Sequence, residues 1–177
     1  MNLVYTFETS PLGVVLAAAS RQGLCFCGLW GDENYLINDL QKRFPGVVLK
    51  HDPRGLAPAM QSLVFYLNGQ PEALEMQLDL IGTDFQKRVW QALLKIPYGK
   101  TTSYSQLALD MGLGLTFTRA VAHGCATNPV SLVVPCHRVL RNSGALGGYY
   151  WGLERKRALL EMEGALRPKM RQSPLFL

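Results

Sequence analysis

Apolar positions along this chain first alternate in short runs and later repeat at helical spacing. Residues 3–7 and 12–19 are short apolar-rich runs on either side of the turn signal Ser10-Pro11, with Gly13 following, and they predict two strands. GLCFCGLW at 23–30 continues that pattern. In DENYLINDLQKR, residues 32–43, Tyr35, Leu36 and Leu40 fall at helical spacing behind Asp32, a suitable cap. Residues 57–68 predict a second helix ended by Asn68-Gly69, and PEALEMQLDLIG alternates polar and apolar toward Thr83. Residues 1–80 thus read as a small α+β unit carrying no assignable chemistry.

From Thr83 onward the period is helical. TDFQKRVWQALLKI has a cap at Thr83 or Asp84 and places Phe85, Val89, Trp90, Leu93 and Leu94 on one face, and Pro97-Tyr98-Gly99 stops it. SYSQLALDMG opens with Ser103 and has Gln106 three residues on, the pattern of a capping box, and Gly112 ends that helix. TFTRAVAHGCAT predicts a third helix capped by Thr116 or Thr118. Helix, short glycine turn and helix is the shape of a helix-turn-helix, although an ordinary helical hairpin has the same pattern. NPVSLVV predicts a turn and then a buried strand over 131–134, whose ladder Pro135 ends for want of an N–H. LERKRALLEMEG is a last helix with Gly164 as its stop, and the tail 165–177 is expected to be loose. The pattern predicts two units, 1–80 and 83–164, with no internal repeat.

Composition narrows the class. The chain has 177 residues, 48% of them apolar, enough for a packed core and against global disorder. No apolar run approaches the ~20 residues of a membrane span. MNLVYTFETSPLG lacks the layout of a secretory signal, so a cytoplasmic location is expected, and the four cysteines are expected to be free thiols. Charge is lopsided: residues 1–118 hold 9 Lys/Arg and 10 Asp/Glu, whereas 119–177 hold 9 and 3. A one-sided positive field suits a polyanion such as nucleic acid, and charge alone leaves a plain soluble basic surface equally open.

The chemistry concentrates in LVVPCHRVLRNSG, residues 132–144, where a thiol, an imidazole and a guanidinium follow an apolar run at once. Cys136 falls where a buried element meets a loop. A thiol is nucleophilic only as thiolate, and its ordinary pKa is about 8.5. His137, Arg138 and the local basic excess are expected to favour ionisation. In extended geometry the ring of His137 points away from the thiol, so a bridging water is the natural proton path. A carboxylate would be needed to orient the imidazole, and Glu163 is one of the few acids nearby. Structural filling remains open for Cys136, because free cysteines are usually buried.

PCHRV at 135–139 resembles the active-site signature of the O6-alkylguanine-DNA alkyltransferases, the methylated-DNA–protein-cysteine methyltransferases. FQKRVWQAL at 85–93, IPYGKTTSYSQLA at 96–108, RAVAHGCATNP at 119–129 and GGYYWGLERKRALLEMEG at 147–164 are similar to that family in order and spacing. TSPLG…GLCFCGLW is similar to its less specific first domain. The resemblance implies an α+β fold: a small N-terminal α/β, ribonuclease-H-like domain at 1–80 in a supporting role, and a mainly helical, winged-helix-like domain at 83–164 that binds DNA and takes the alkyl group. It implies that double-stranded DNA is bound through the minor groove by a monomer without cofactor or metal. An O6-alkylguanine is flipped out and its alkyl group is kept on Cys136 as a thioether, once per molecule. The implied relay is Cys136, water, His137 and Glu163, with Asn128 fixing the preceding turn. Tyr104 matches the phenol that donates to the leaving guanine. Tyr149, beside Tyr150, matches the pocket wall, and the carbonyl of Val139 is expected to read the guanine amine. Arg119 matches the side chain that fills the gap left by the flipped base. The small Ala120, Ala122 and Gly124 suit a helix pressed into a narrow groove, or helix packing.

Some positions depart from the family pattern. The loop GLGLTF at 112–117 is about one residue longer and more apolar than the family's, and His123 stands where a small residue is common, either against phosphate or merely exposed. Trp151 occupies an implied rim position that is glycine in some members, so a narrow pocket that favours methyl over benzyl is expected. Cys25 and Cys27 are expected on one strand face, and with only His51 nearby they fall short of the four ligands zinc prefers. A non-catalytic lesion-binding protein of similar fold and a helix-turn-helix regulator are the competing classes; neither has a use for Cys136.

Overall fold

A computed structural model describes residues 1–70 and 74–166. The first strands form where the alternation predicts them: β1 (Asn2–Ser10), β2 (Gly13–Ala19) and β3 (Leu24–Trp30). The hydroxyl of Ser10 closes the β1–β2 turn on the carbonyl of Gly13. The sheet has the order β3-β2-β1-β4, antiparallel except for β1 against β4 (Val48–His51), which run parallel. β4 escapes a reading by pattern because it has four residues, mostly exposed, and draws its place from backbone pairing with β1.

Both faces of β2 and β3 are covered, which is why GVVLAAA and LCFCGLW are apolar throughout. α1 (Glu33–Arg43), capped by the Asp32 carboxylate on the N–H groups of Asn34 and Tyr35, covers one face with Leu36 and Leu40. α2 (Ala57–Leu67) and the second domain cover the other. Cys25 and Cys27 do not share a face. Ala18 pairs with Phe26 and Ala19 with Leu24, so Cys25 is the extra residue of a β-bulge. The bulge turns Cys25 toward α1 and Cys27 toward α2. The alternating stretch 71–82 adds no strand among its described residues, only an isolated bridge of Leu78 to Leu24.

In the second domain, α3 (Asp84–Leu93) starts at Thr83 with a complete capping box. The box expected at the start of α4 (Tyr104–Asp110) is half formed. Ser103 accepts from the N–H of Gln106, but the Gln106 side chain turns to Asp110. α5 (Thr118–Ala126) has no side-chain cap, because a single 3-10 turn at Leu115–Phe117 leads into it and the Thr118 hydroxyl donates back to Leu115. The longer apolar loop is thus used as an extra turn. α4 and α5 pack as a helix-turn-helix. α3 lies against α5 at Gly124, where an added Cβ would come within 2.9 Å of Val89, so this small residue serves helix packing.

Residues 131–134 are not a strand. The segment folds into consecutive turns with Leu132 in the left-handed region (φ 73°), and its end of the ladder is a two-way bond to β3: Cys27 N–H to the Pro129 carbonyl, and Ser131 N–H back to the Cys27 carbonyl. A 3-10 turn, Cys136–Arg138, follows, and then β6 (Val139–Leu140) pairs in parallel with β5 (Thr102–Ser103). The pairing sets Tyr104, the first residue of α4, beside the Cys136 turn. α6 (Leu153–Met162) closes the domain and stops at Gly164, φ 70°. Of the tail expected to be loose, residues 167–177 lie outside the described residues.

Gly28 of β3 has no room for a methyl: a Cβ would stand 2.8 Å from both Leu36 and Trp151. Gly28→Ala is expected to lower stability by about 1–3 kcal/mol in urea unfolding; an unchanged midpoint would contradict this packing.

Candidate active site

Cys136 is 7% exposed and lines a cavity of about 500 Å³ with Tyr104, Ala122, Cys125, Ala126, Arg141 and the loop Gly147–Tyr150. Four separate elements therefore meet at one sulfur. α4 supplies Tyr104, α5 supplies Ala122 and Cys125, the turn after β3's partner segment supplies Cys136, and the loop before α6 supplies Tyr149 and Tyr150. Gly147, φ 69°, lets that loop pass the Tyr104 hydroxyl, which a Cβ would approach to 3.1 Å.

Asn128 holds the turn and the thiol together. Its Oδ1 accepts from the N–H of Val130 at 3.0 Å, and its Nδ2 donates to the Val134 carbonyl at 2.8 Å and to Cys136 Sγ at 3.2 Å. The last bond is additional to the turn-fixing role expected for it. Burial pushes the Cys136 thiol up, opposed by the Asn128 hydrogen bond and then by the charge of Lys156. The expectation that His137 and Arg138 ionise the thiol is therefore not met. Arg138 spends its guanidinium on both Glu163 oxygens and on the Ile96 carbonyl. His137 is itself buried, and burial pushes its imidazole below the ordinary value against the pull of Glu163.

His137 and Glu163 do meet. Nε2 lies 2.8 Å from Glu163 Oε1, and a carboxylate can only accept, so Nε2 carries the proton. Nδ1 is buried without a protein partner among the described residues. Glu163 is fully buried at its side chain yet strongly acidic. Burial would raise its carboxyl, but hydrogen bonds from His137, Arg138 and the Tyr66 phenol together bring it down to about 2.

Two participants escape a reading of the sequence. Lys156 is wholly buried, donates to the carbonyls of Val139 and Gly148, and burial lowers its ammonium to about 8. The signal for it is its place in the stripe 156, 159, 160, 163, a buried face of α6 that otherwise holds leucines and Glu163. Tyr66, on α2, donates to Glu163 Oε1. A tyrosine among Met60, Leu63 and Leu67 reads as ordinary core, so nothing in the pattern points to it.

The remaining expected residues divide. Tyr149 walls the cavity, its hydroxyl buried and without a hydrogen-bond partner among the described residues. Tyr150 is at the lip, with its phenol donating to Asp39 of α1 and the Arg43 guanidinium 4.4 Å over its ring. Arg119, Ala120 and His123 are exposed on α5, and Ala122 reaches the cavity. Val139 is buried outside the cavity lining, and its carbonyl already accepts from Lys156 at 2.7 Å. Trp151 is not at the rim. It is 1% exposed, donates to Ser131 Oγ at 2.7 Å and packs edge-on against Phe26 under the sheet. The apolar pocket between the sheet and α1 takes the ring, so its size does not narrow the cavity. Cys125 lines the cavity as well as packing.

Residues 84–165 match the 6-O-methylguanine DNA methyltransferase DNA binding domain, and residues 3–80 match the ribonuclease-like domain of the same proteins. The chain belongs to the 6-O-methylguanine DNA methyltransferase family. It is 40% identical over 159 residues to the bifunctional transcriptional activator/DNA repair enzyme Ada of Escherichia coli, covering 90% of this chain but only 45% of Ada. It is 40% identical over 150 residues to the inducible methylated-DNA–protein-cysteine methyltransferase of Bacillus subtilis, covering 82% of each. The structure is similar to that of Mycobacterium tuberculosis OGT in complex with DNA, with TM-score 0.78, 37% identity and 93% and 94% of the two chains covered. The family's two-domain fold is thus shared throughout, and among the described residues no helix is long and apolar enough to cross a membrane.

Two outcomes test this site. Glu163 is depressed from its ordinary 4.5 to about 2, so its stabilisation is complete above about 4.5 and is lost as pH falls through about 2. Buried neutral His137, depressed below its ordinary 6.5, acts with the same sign and begins to cost stability as pH drops below that value. Thermal midpoints of the parent should therefore fall from pH 6 to pH 3 more steeply than those of Glu163→Gln; parallel slopes would contradict the buried carboxylate. Trp151→Ala should lose about 3–5 kcal/mol in denaturant unfolding, where a rim residue would lose little.

Proposed function

We propose that this chain removes the alkyl group, mainly methyl, from O6-alkylguanine in duplex DNA and keeps it irreversibly on Cys136, so that each molecule acts once. The observation that carries the reading is a thiol facing a base-sized cavity with a buried imidazole–carboxylate pair behind it. Domain 83–164 would bind DNA and carry out the transfer, and domain 1–80 would support it. The exposed side of α5 would enter the minor groove with Arg119, Ala120 and His123, Arg119 filling the gap left by the extruded base. A lesion is the base most easily extruded, because its pairing is already weak.

In the cavity, Cys136 Sγ attacks the alkyl carbon. The S–C bond forms as the C–O6 bond breaks, the electron pair stays on the guanine, and the base takes up a proton. The thiol is neutral at rest, so its proton must leave during reaction. His137 Nδ1, the free acceptor, receives it through a water, and Glu163 holds the resulting imidazolium. Tyr104 stays protonated, since burial raises its phenol to about 12, and so can donate to the leaving base. Tyr149 and Tyr150 wall the pocket, and the second lone pair of the Val139 carbonyl is left to read the guanine amine. No cofactor or metal enters this chemistry. We place the protein in the cytoplasm as a monomer. A lesion-binding protein without transfer, or a helix-turn-helix regulator, would have no use for the thiol and its proton path.

Intact-mass measurement after mixing with a duplex bearing one O6-methylguanine tests the reading. One methyl per chain is expected, none for Cys136→Ala, and about a 10²-fold slower transfer for Tyr104→Phe. Binding of the duplex with unchanged mass would overturn it.

A further inference from the structure

The first domain carries a side chain into the proton path. Tyr66 sits on α2, 1% exposed, and its hydroxyl donates to Glu163 Oε1, the oxygen that also accepts from His137. The same hydroxyl is 3.2 Å from His137 Nε2. Glu163 Oε1 therefore collects three donors from two elements: the phenol of α2, and from the Cys136 turn both the imidazole of His137 and the Arg138 guanidinium at 3.0 Å. Glu163 Oε2 takes the rest, Arg138 Nε at 2.9 Å and the N–H of Gly99 at 3.3 Å. Apart from Tyr66, every one of these donors belongs to the second domain.

We propose that Tyr66 is a positioning residue for His137, acting through Glu163, and that the first domain supports alkyl transfer by supplying it. The inference rests on the alkyl-transfer reading above. The physical argument has two parts. A phenol donating to Oε1 fixes the carboxylate's orientation, and this in turn fixes the imidazole with Nε2 toward Glu163 and Nδ1 free for the thiol's proton. Donation also withdraws charge from Oε1, so Glu163 pulls less strongly on a second imidazole proton and His137 stays neutral, ready to accept. The other groups facing His137 are Arg138 on its own turn, Lys156 on α6, Tyr149 on the loop before α6 and Cys136, with Tyr98 beyond Arg138 and Glu163. Arg138 and Lys156 also oppose protonation, and neither is altered when the Tyr66 hydroxyl is removed.

The experiment compares single-turnover methyl transfer by the parent and by Tyr66→Phe across pH, using a duplex with one O6-methylguanine. Loss of the hydroxyl is expected to move the acid limb of the rate profile to higher pH and to lower the plateau by roughly 10-fold. In a Glu163→Gln background the same substitution should produce no further shift. A Tyr66→Phe profile that superimposes on the parent's, or an equal shift in both backgrounds, would overturn the proposal while leaving alkyl transfer intact. Absence of transfer by the parent would instead remove the reading on which it rests. Nitrogen-15 NMR of His137 in the parent gives a check independent of the variants' folding: protonation at Nε2 is expected, and protonation at Nδ1 would refute the arrangement.

Discussion

A carboxylate sealed away from water has to be met on every lone pair or it costs several kcal/mol. Glu163 is in that position, and three segments distant in sequence converge on it. Its partners come from α2, from the loop after α3 and from the Cys136 turn. Gly99 can stand where it does only because it lacks a side chain: at φ 71°, a Cβ would come within 2.8 Å of the Glu163 carbonyl. Satisfying one buried anion thus brings the domains, the PCHR turn and the end of α6 into a single register.

The chemistry of the thiol follows from the same enclosure. A surface cysteine in a basic field would ionise early. Here burial favours the neutral thiol, the arginine beside it is committed to Glu163, and the imidazole is kept neutral. Resting neutrality protects the sulfur from incidental oxidation, because the thiolate is the reactive form. The Asn128 hydrogen bond and the charge of Lys156 are the influences that favour the anion.

The first domain is more than a cover. β3 exchanges two backbone hydrogen bonds with residues 129–131, immediately upstream of Cys136, and the sheet face beneath α1 takes Trp151 from the loop that walls the cavity. Tyr150 at the cavity lip is tied to Asp39 and Arg43 of α1. The segments around the cavity are therefore anchored by elements of the domain that does not carry Cys136. Leu132, in the left-handed region with its side chain buried, is the local strain that this docking sustains; such a conformation costs about 1–3 kcal/mol.

Local periodicity was enough for β1 to β3 and for the six α-helices among the described residues, and an Asp, Thr or Ser cap marked the start of α1, α3 and α4, because both signals act over a few residues. The PCHR segment with Asn128 and Glu163 was readable for a different reason, its resemblance to the family's signature; the residues alone left Cys136 open between core filling and a nucleophile. Other features depended on groups distant in sequence. Burial reversed the expected ionisation of Cys136, a β-bulge separated Cys25 from Cys27, and the turn-forming bonds to β3 replaced the strand expected at 131–134. Trp151 left the rim for a pocket under the sheet, and Lys156 and Tyr66 became polar partners although their positions look like core. Residue order specifies the local conformations and the reactive groups; which groups lose water, and which atoms then satisfy them, is set only when the two domains close on each other.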